Sequence, residues 1–141
     1  MKGCGALVIA ACVLIASCGD SPTPPTTTLN LAGAWTGTWT FTSGGAMVTD
    51  TVTMTVSQTG TSAVGQWSST SGAAGTVTFT ATEEFTGSAG LSQTLIIGGN
   101  CTASTTLTGT ASMNQIKFTL GALTPTGLCQ WAPSNQFTFT R

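Results

Sequence analysis

The side chains able to do chemistry are few. Asp20, Asp50, Glu83 and Glu84 are the carboxylates, Lys2, Lys117 and Arg141 the cations, and Cys4, Cys12, Cys18, Cys101 and Cys129 the thiols. There is no His and no Tyr. Ser and Thr are abundant, Thr alone filling 31 of 141 positions, but without His they lack the base that most often activates a hydroxyl. The commonest imidazole metal ligand is missing too. Glu83 and Glu84 are adjacent, and adjacent residues on a strand or turn point apart. They do not form the facing carboxylate pair of glycoside hydrolysis and read as a solvated turn. Lys117 alternates with Ile116 and Phe118, so it faces solvent. Two basic residues beyond the first few positions make no phosphate-binding surface, which excludes nucleic acid. The expectation is a chain with no enzymatic activity and no cofactor.

The remaining candidates depend on the elements that place them. Residues 1–17 read as a secretory signal: Lys2 supplies the positive end, and Ala6 to Ala16 is an unbroken apolar run of eleven residues. That is too short to span a bilayer as a helix, which takes about 20 residues. The run ends in Ile15-Ala16-Ser17-Cys18, which resembles the bacterial lipobox. The resemblance implies cleavage before Cys18 and its acylation, with three chains holding the protein at about 0.8 kcal/mol per buried methylene. An ordinary cleaved signal with an incidental Cys is the other reading. Residues 18–30 form the lipidated Cys and a linker, with three prolines between Pro22 and Pro25 that make it semi-rigid. In the sorting pattern of such lipoproteins an Asp directly after the Cys favours the inner membrane. Gly19 stands there instead, so the resemblance leans to the outer membrane. With Cys4 and Cys12 removed and Cys18 acylated, Cys101 and Cys129 remain as an even pair in an oxidising compartment. A bridge between them would stabilise by roughly 3.5 kcal/mol on chain-entropy grounds. Metal binding by the two thiols is the weaker alternative.

From Leu31 onward the pattern has period two. Trp35, Gly37, Trp39 and Phe41 alternate with Thr36, Thr38, Thr40 and Thr42. Val48, Asp50, Val52, Met54 and Val56 alternate with Thr49, Thr51, Thr53 and Thr55. Further runs are expected at about 62–69 with Trp67, at 76–82, at about 90–97 with Leu95 and Ile97, at 106–111, at 116–120 and at 137–141. Turn formers separate most of them, and short turns join antiparallel neighbours. Eight strands in a meander remove their edges by closing into an up-and-down barrel with a Thr-rich outer face. Residues 31–141 are therefore expected as an all-β, eight-stranded antiparallel barrel, with a β-sandwich as competitor. The one long loop runs over about 121–134.

Gly33-Ala34-Trp35 at the first strand, with Arg141 ending the last, resembles the signature of the calycin superfamily, which includes lipocalins, fatty-acid-binding proteins and avidins. Gly37-Thr38-Trp39 offers a second register for the same motif. The resemblance implies that Gly33, Trp35 and Arg141 close the barrel and that its interior takes a small apolar ligand. The Tyr of the second lipocalin motif and of the avidin site is absent, so biotin binding does not carry over. The candidate ligand-binding residues are Trp39, Phe41, Asp50, Trp67 and Trp131. Asp50 reads as a ligand hydrogen-bonding group or a rim residue in water. Trp131 sits in the long loop, as a contact for a ligand, partner or membrane, or as a lid. The expected function is a membrane-tethered, non-catalytic barrel binding or transporting a small apolar ligand. The alternative is a filled barrel serving as a structural or protein-interaction module. An ice-binding surface built from the Thr rows is a remote third reading, because such arrays are flat.

Overall fold

The computed structural model describes residues 26–43, 45–94, 100–126 and 135–141, and every regular element among them is a strand. These are β1 (Gly33–Ser43), β2 (Ala46–Thr59), β3 (Ser62–Ser69), β4 (Ala73–Thr80), β5 (Glu84–Thr94), β6 (Asn100–Ser112), β7 (Gln115–Leu120), β8 (Thr124–Thr126) and β9 (Asn135–Thr140). Each strand from β1 to β6 pairs antiparallel with the next, β7 pairs with β9, β9 pairs with β1, and the short β8 pairs with β6 in line with β7. The result is a closed eight-stranded meander barrel, as the alternation leads one to expect. A sandwich is ruled out because the pairings run without a break from β1 through β7 to β9 and back to β1, leaving no division into two sheets.

Three boundaries differ from expectation. First, β4 starts at Ala73, because the preceding turn contracts to Thr70–Gly72, where Gly72 takes φ +88°. Second, β5 is Glu84–Thr94 rather than 90–97. Its inward positions include Gly87 and Ala89, whose small size hides the alternation from a count of large apolar residues. Glu83 stays in the turn, Glu84 opens β5, and Leu95 and Ile97 lie outside the described residues. Third, the expected loop at 121–134 begins as wall. Leu107 is level with Leu120, but Ser104 is level with Thr124, so residues 121–123 span 105–106. This is a one-residue bulge. Gly121 N donates to Thr106 O (2.8 Å), and Thr105 Oγ1 donates to Ala122 O (2.8 Å). The extra residue reverses the parity: Ile116, Phe118 and Leu120 point inward, and after the bulge Leu123 packs on the same core.

The registers fix the barrel's width. Gly33 is level with Val56, Val56 with Gly65, Gly65 with Val77, Val77 with Ala89, and Ala89 with Thr105. Continuing the last three ladders in register leads back to Ser43 on β1, a stagger of about ten residues from 33 to 43. Eight strands with that stagger tilt by about 43° and lie at a radius of roughly 8 Å. Side chains from opposite walls therefore meet across the axis.

The interior is filled along the same climbing rows. One row runs Phe85–Gly109–Phe118–Phe137–Trp39–Asp50 round six strands. Directly opposed residues bring rings within contact range. Phe118 stacks on Phe137 at 4.8 Å and Phe137 on Trp39 at 5.6 Å, while Trp67 of β3 meets Phe137 edge-on at 4.9 Å. Interior glycines stand opposite large rings: Gly109 beside Phe85 and Phe118, Gly87 beside Phe79, Gly75 beside Trp67, and Gly37 beside Phe139. A Cβ at Gly109 would lie 2.5 Å from Phe85 Cζ. These glycines supply the volume that the rings occupy. The outer face carries Thr against Thr, as in Thr36↔Thr53, Thr38↔Thr51 and Thr40↔Thr49.

One end of the barrel, where β1 begins and β9 finishes, is sealed by the chain itself. Leu31 is fully buried there. Its N–H donates to Gln58 Oε1 (2.8 Å), and its carbonyl accepts from Trp35 Nε1 (2.9 Å). The Arg141 guanidinium lies over the Trp35 ring, 4.4 Å from the centroid. It donates to the carbonyls of Asn30 (2.7 Å), Ala32 (3.1 Å) and Met113 (2.7 Å). Gly33, at φ +126°, brings the strap into β1 beside it. Trp35, not Trp39, is thus the indole under Arg141. Leu29 and Asn30, read from the sequence as linker, are docked on the barrel.

Candidate functional site

The opposite end gathers the end of β1, the starts of β2, β4, β6 and β9, and the β3–β4 turn. Three expected ligand-binding residues converge there. Trp39 is buried; Phe41, half-buried, stacks on it at 4.2 Å, and Trp67 meets it edge-on at 5.6 Å. Trp39 Nε1 donates to Asn135 Oδ1 (3.0 Å). Asn135 is 1% exposed, a buried polar residue at the first position of β9. An amide in this place costs free energy unless it is hydrogen-bonded. The indole meets that need and is itself held in orientation.

The sequence reading passed over Asn135. The signal was present, since Asn135 continues the inward parity of Phe137 and Phe139. Gln58 was missed for the same reason: it continues the parity of Val52, Met54 and Val56 and ends in the strap.

Asp50 lies at the rim, level with Trp39. Its carboxylate accepts from the N–H groups of Thr51 (2.9 Å) and Ser71 (3.1 Å) and from the Thr70 hydroxyl. Burial pushes this carboxyl up, but hydrogen bonds from the Ser71 and Thr70 side chains and the Ser71 backbone outweigh it. The result is a pKa of about 2. Asp50 is therefore occupied in holding the β3–β4 turn.

Among the described residues, the β1–β2 hairpin reaches past its neighbours. The β3 ladder starts at Val52 and the β9 ladder at Phe41, so Met47 (78% exposed) and Val48 sit on a projecting, uncharged tip. Cys101 is buried at the start of β6 on this end. Cys129 and Trp131 lie outside the described residues, as does Cys18.

Among the described residues, no cluster of three or more Cys, Asp or Glu side chains is placed to hold a metal ion. Hollows lined by described residues open on the outer wall. One lies over Glu84, Thr86, Thr108 and Thr110, and another over Gly90 between Thr76, Ser92 and Ser104. They are broad and hydroxyl-rimmed, with backbone as part of their floor. Lys117 projects from the outer wall between Thr110 and Thr138. Glu83 and Glu84 are exposed at the sealed end, and they do not face one another across a cleft. Among the described residues, this end presents an aromatic floor of Trp39, Phe41 and Trp67 beside a turn held by Asp50. No known family model, curated protein or solved structure matches the chain.

Proposed function

We propose that this chain is a bacterial envelope lipoprotein whose barrel is a non-catalytic scaffold for contacts made at the rim. The lipobox-like Ile15-Ala16-Ser17-Cys18 places the anchor at Cys18, with Gly19 favouring the outer membrane. Leu29–Ala32 join the barrel at its sealed end, the end opposite the rim. A bridge between Cys101 and Cys129 would tie Cys129 to the start of β6. The observation that carries the scaffold reading is the ring packing inside the barrel among the described residues, in which Phe118, Phe137 and Trp39 stack from strand to strand and Trp67 of β3 meets Phe137 and Trp39 edge-on. An aromatic floor of this kind supports the module reading over an internal transport cavity.

The calycin resemblance keeps a second reading in view. Trp39 and Phe41 form an apolar floor just below the rim, suited to one small apolar ligand held at the mouth rather than within the barrel. Native mass spectrometry of gently purified protein separates the two. The scaffold reading predicts the acylated chain with no additional non-covalent mass. A co-purified lipid-like mass would replace it with the ligand reading.

A further inference from the structure

The strap at the sealed end is bonded far more densely than a plug requires. Leu29 N donates to Ala81 O in the β4–β5 turn (2.8 Å). Gln58 Nε2, on β2, donates to Leu29 O (2.8 Å) and to Gly60 O (2.9 Å), while Gln58 Oε1 accepts from Leu31 N. Arg141 reaches back from the end of β9 to Asn30 O and Ala32 O, and its Nε holds Met113 O in the β6–β7 turn. A strap of four residues, Leu29 to Ala32, is thus knitted to β2, to the β4–β5 turn and to Arg141 at the end of the last strand, and Arg141 is itself held by the β6–β7 turn. The strap leads straight into β1, which is paired along its length with β2 and over Thr36–Phe41 with β9, both antiparallel to it.

We propose that Leu29–Ala32, with Gln58 and Arg141, is a force-bearing latch. Tension entering from the N-terminal side is shared among three separate parts of the wall, at Gln58, Ala81 and Arg141, before β1 is loaded. Once loaded, β1 is pulled along its own axis, so its ladder bonds are strained together rather than peeled one at a time. A charged guanidinium suits the task, because its hydrogen bonds to carbonyls are stronger than neutral ones and its planar fork spans two of them at once. The proposal draws on the anchoring reading only for the source of the tension.

The test pulls on the full, unacylated chain between p-azidophenylalanine handles at Thr26 and at Ser88, an exposed position on β5 across the barrel. At constant load the latch predicts one rupture event, with strap and barrel failing together. A separate early step of about 1.4 nm, the extended length of the four strap residues, would overturn it in the wild-type chain alone. In Arg141→Ala that early step should appear, with a strap lifetime at least about tenfold shorter. Gln58→Leu removes the other clamp and should act in the same direction, and it replaces Arg141→Ala if that variant does not fold. Unchanged lifetimes in the variants would also overturn the proposal. Because no lipid takes part, failure here would leave the anchoring reading to its own fractionation test.

Discussion

Substituting Gly37 by Ala probes the seam where the first and last strands meet. Gly37 is level with Val52 on β2 and with Phe139 on β9. A Cβ added there would come to 2.8 Å from Phe139 Cα and closer still to the Thr138 carbonyl oxygen. Both are backbone atoms, so no side-chain rotation relieves the contact and the seam has to part. Overpacking costs about 1–3 kcal/mol, and two strained ladder hydrogen bonds add about 1 kcal/mol each. The sum is a loss of about 3–5 kcal/mol. With an m-value near 1.5 kcal/mol/M, the urea midpoint should fall by roughly 2–3 M at unchanged slope. Gly90→Ala is the control. A Cβ at Gly90 meets nothing within 4 Å, and losing the backbone freedom of Gly should leave stability equal or higher by about 0.5–1 kcal/mol. Urea unfolding followed by Trp fluorescence measures both variants. Equal midpoints for Gly37→Ala and Gly90→Ala would refute the seam geometry.

The depressed pKa of Asp50 gives a signed pH dependence. Its contribution is fully present above the unfolded carboxyl value near 4 and is lost as pH falls toward about 2. Wild type should therefore lose more stability than Asp50→Asn over that window, and parallel urea midpoints between pH 4 and 2 would contradict the turn clamp. Cys18→Ser should move the protein from the membrane fraction to the soluble one; retention in the membrane would remove the lipidation reading. Thiol labelling of the unfolded, unreduced mature chain should find no reactive Cys, and two labelled thiols would refute the Cys101–Cys129 bridge.

Alternation made most of the barrel legible in the sequence. In β1, β2, β4 and β9, apolar and Thr positions are interleaved, and their inward sides follow directly. β5 was displaced because Gly87 and Ala89 face inward without looking apolar, and β8 was hidden because a bulge reverses parity within a single strand line. Register is a property of pairs, so no single strand could reveal that Gly37, Gly75, Gly87 and Gly109 each oppose a ring. That pairing decides how full the lumen is. At the rim, Trp39, Phe41 and Trp67 were identifiable as aromatic and inward. The use of Asp50 by a turn depends on Thr70 and Ser71 folding back onto it, which spacing along the chain does not encode. Leu29 and Asn30 were read as linker because the strap's hydrogen bonds run from backbone atoms to Gln58, Ala81 and Arg141, distant in sequence and invisible to composition.

The filled interior is tested most directly by crystallography of the mature domain under xenon pressure, since xenon enters apolar cavities that water leaves empty. The account predicts no xenon on the barrel axis between Trp39 and Leu31, with the Trp39, Trp67, Phe118 and Phe137 rings in mutual contact. Ordered xenon among those rings would show a lumen with room for a ligand and would contradict the scaffold reading.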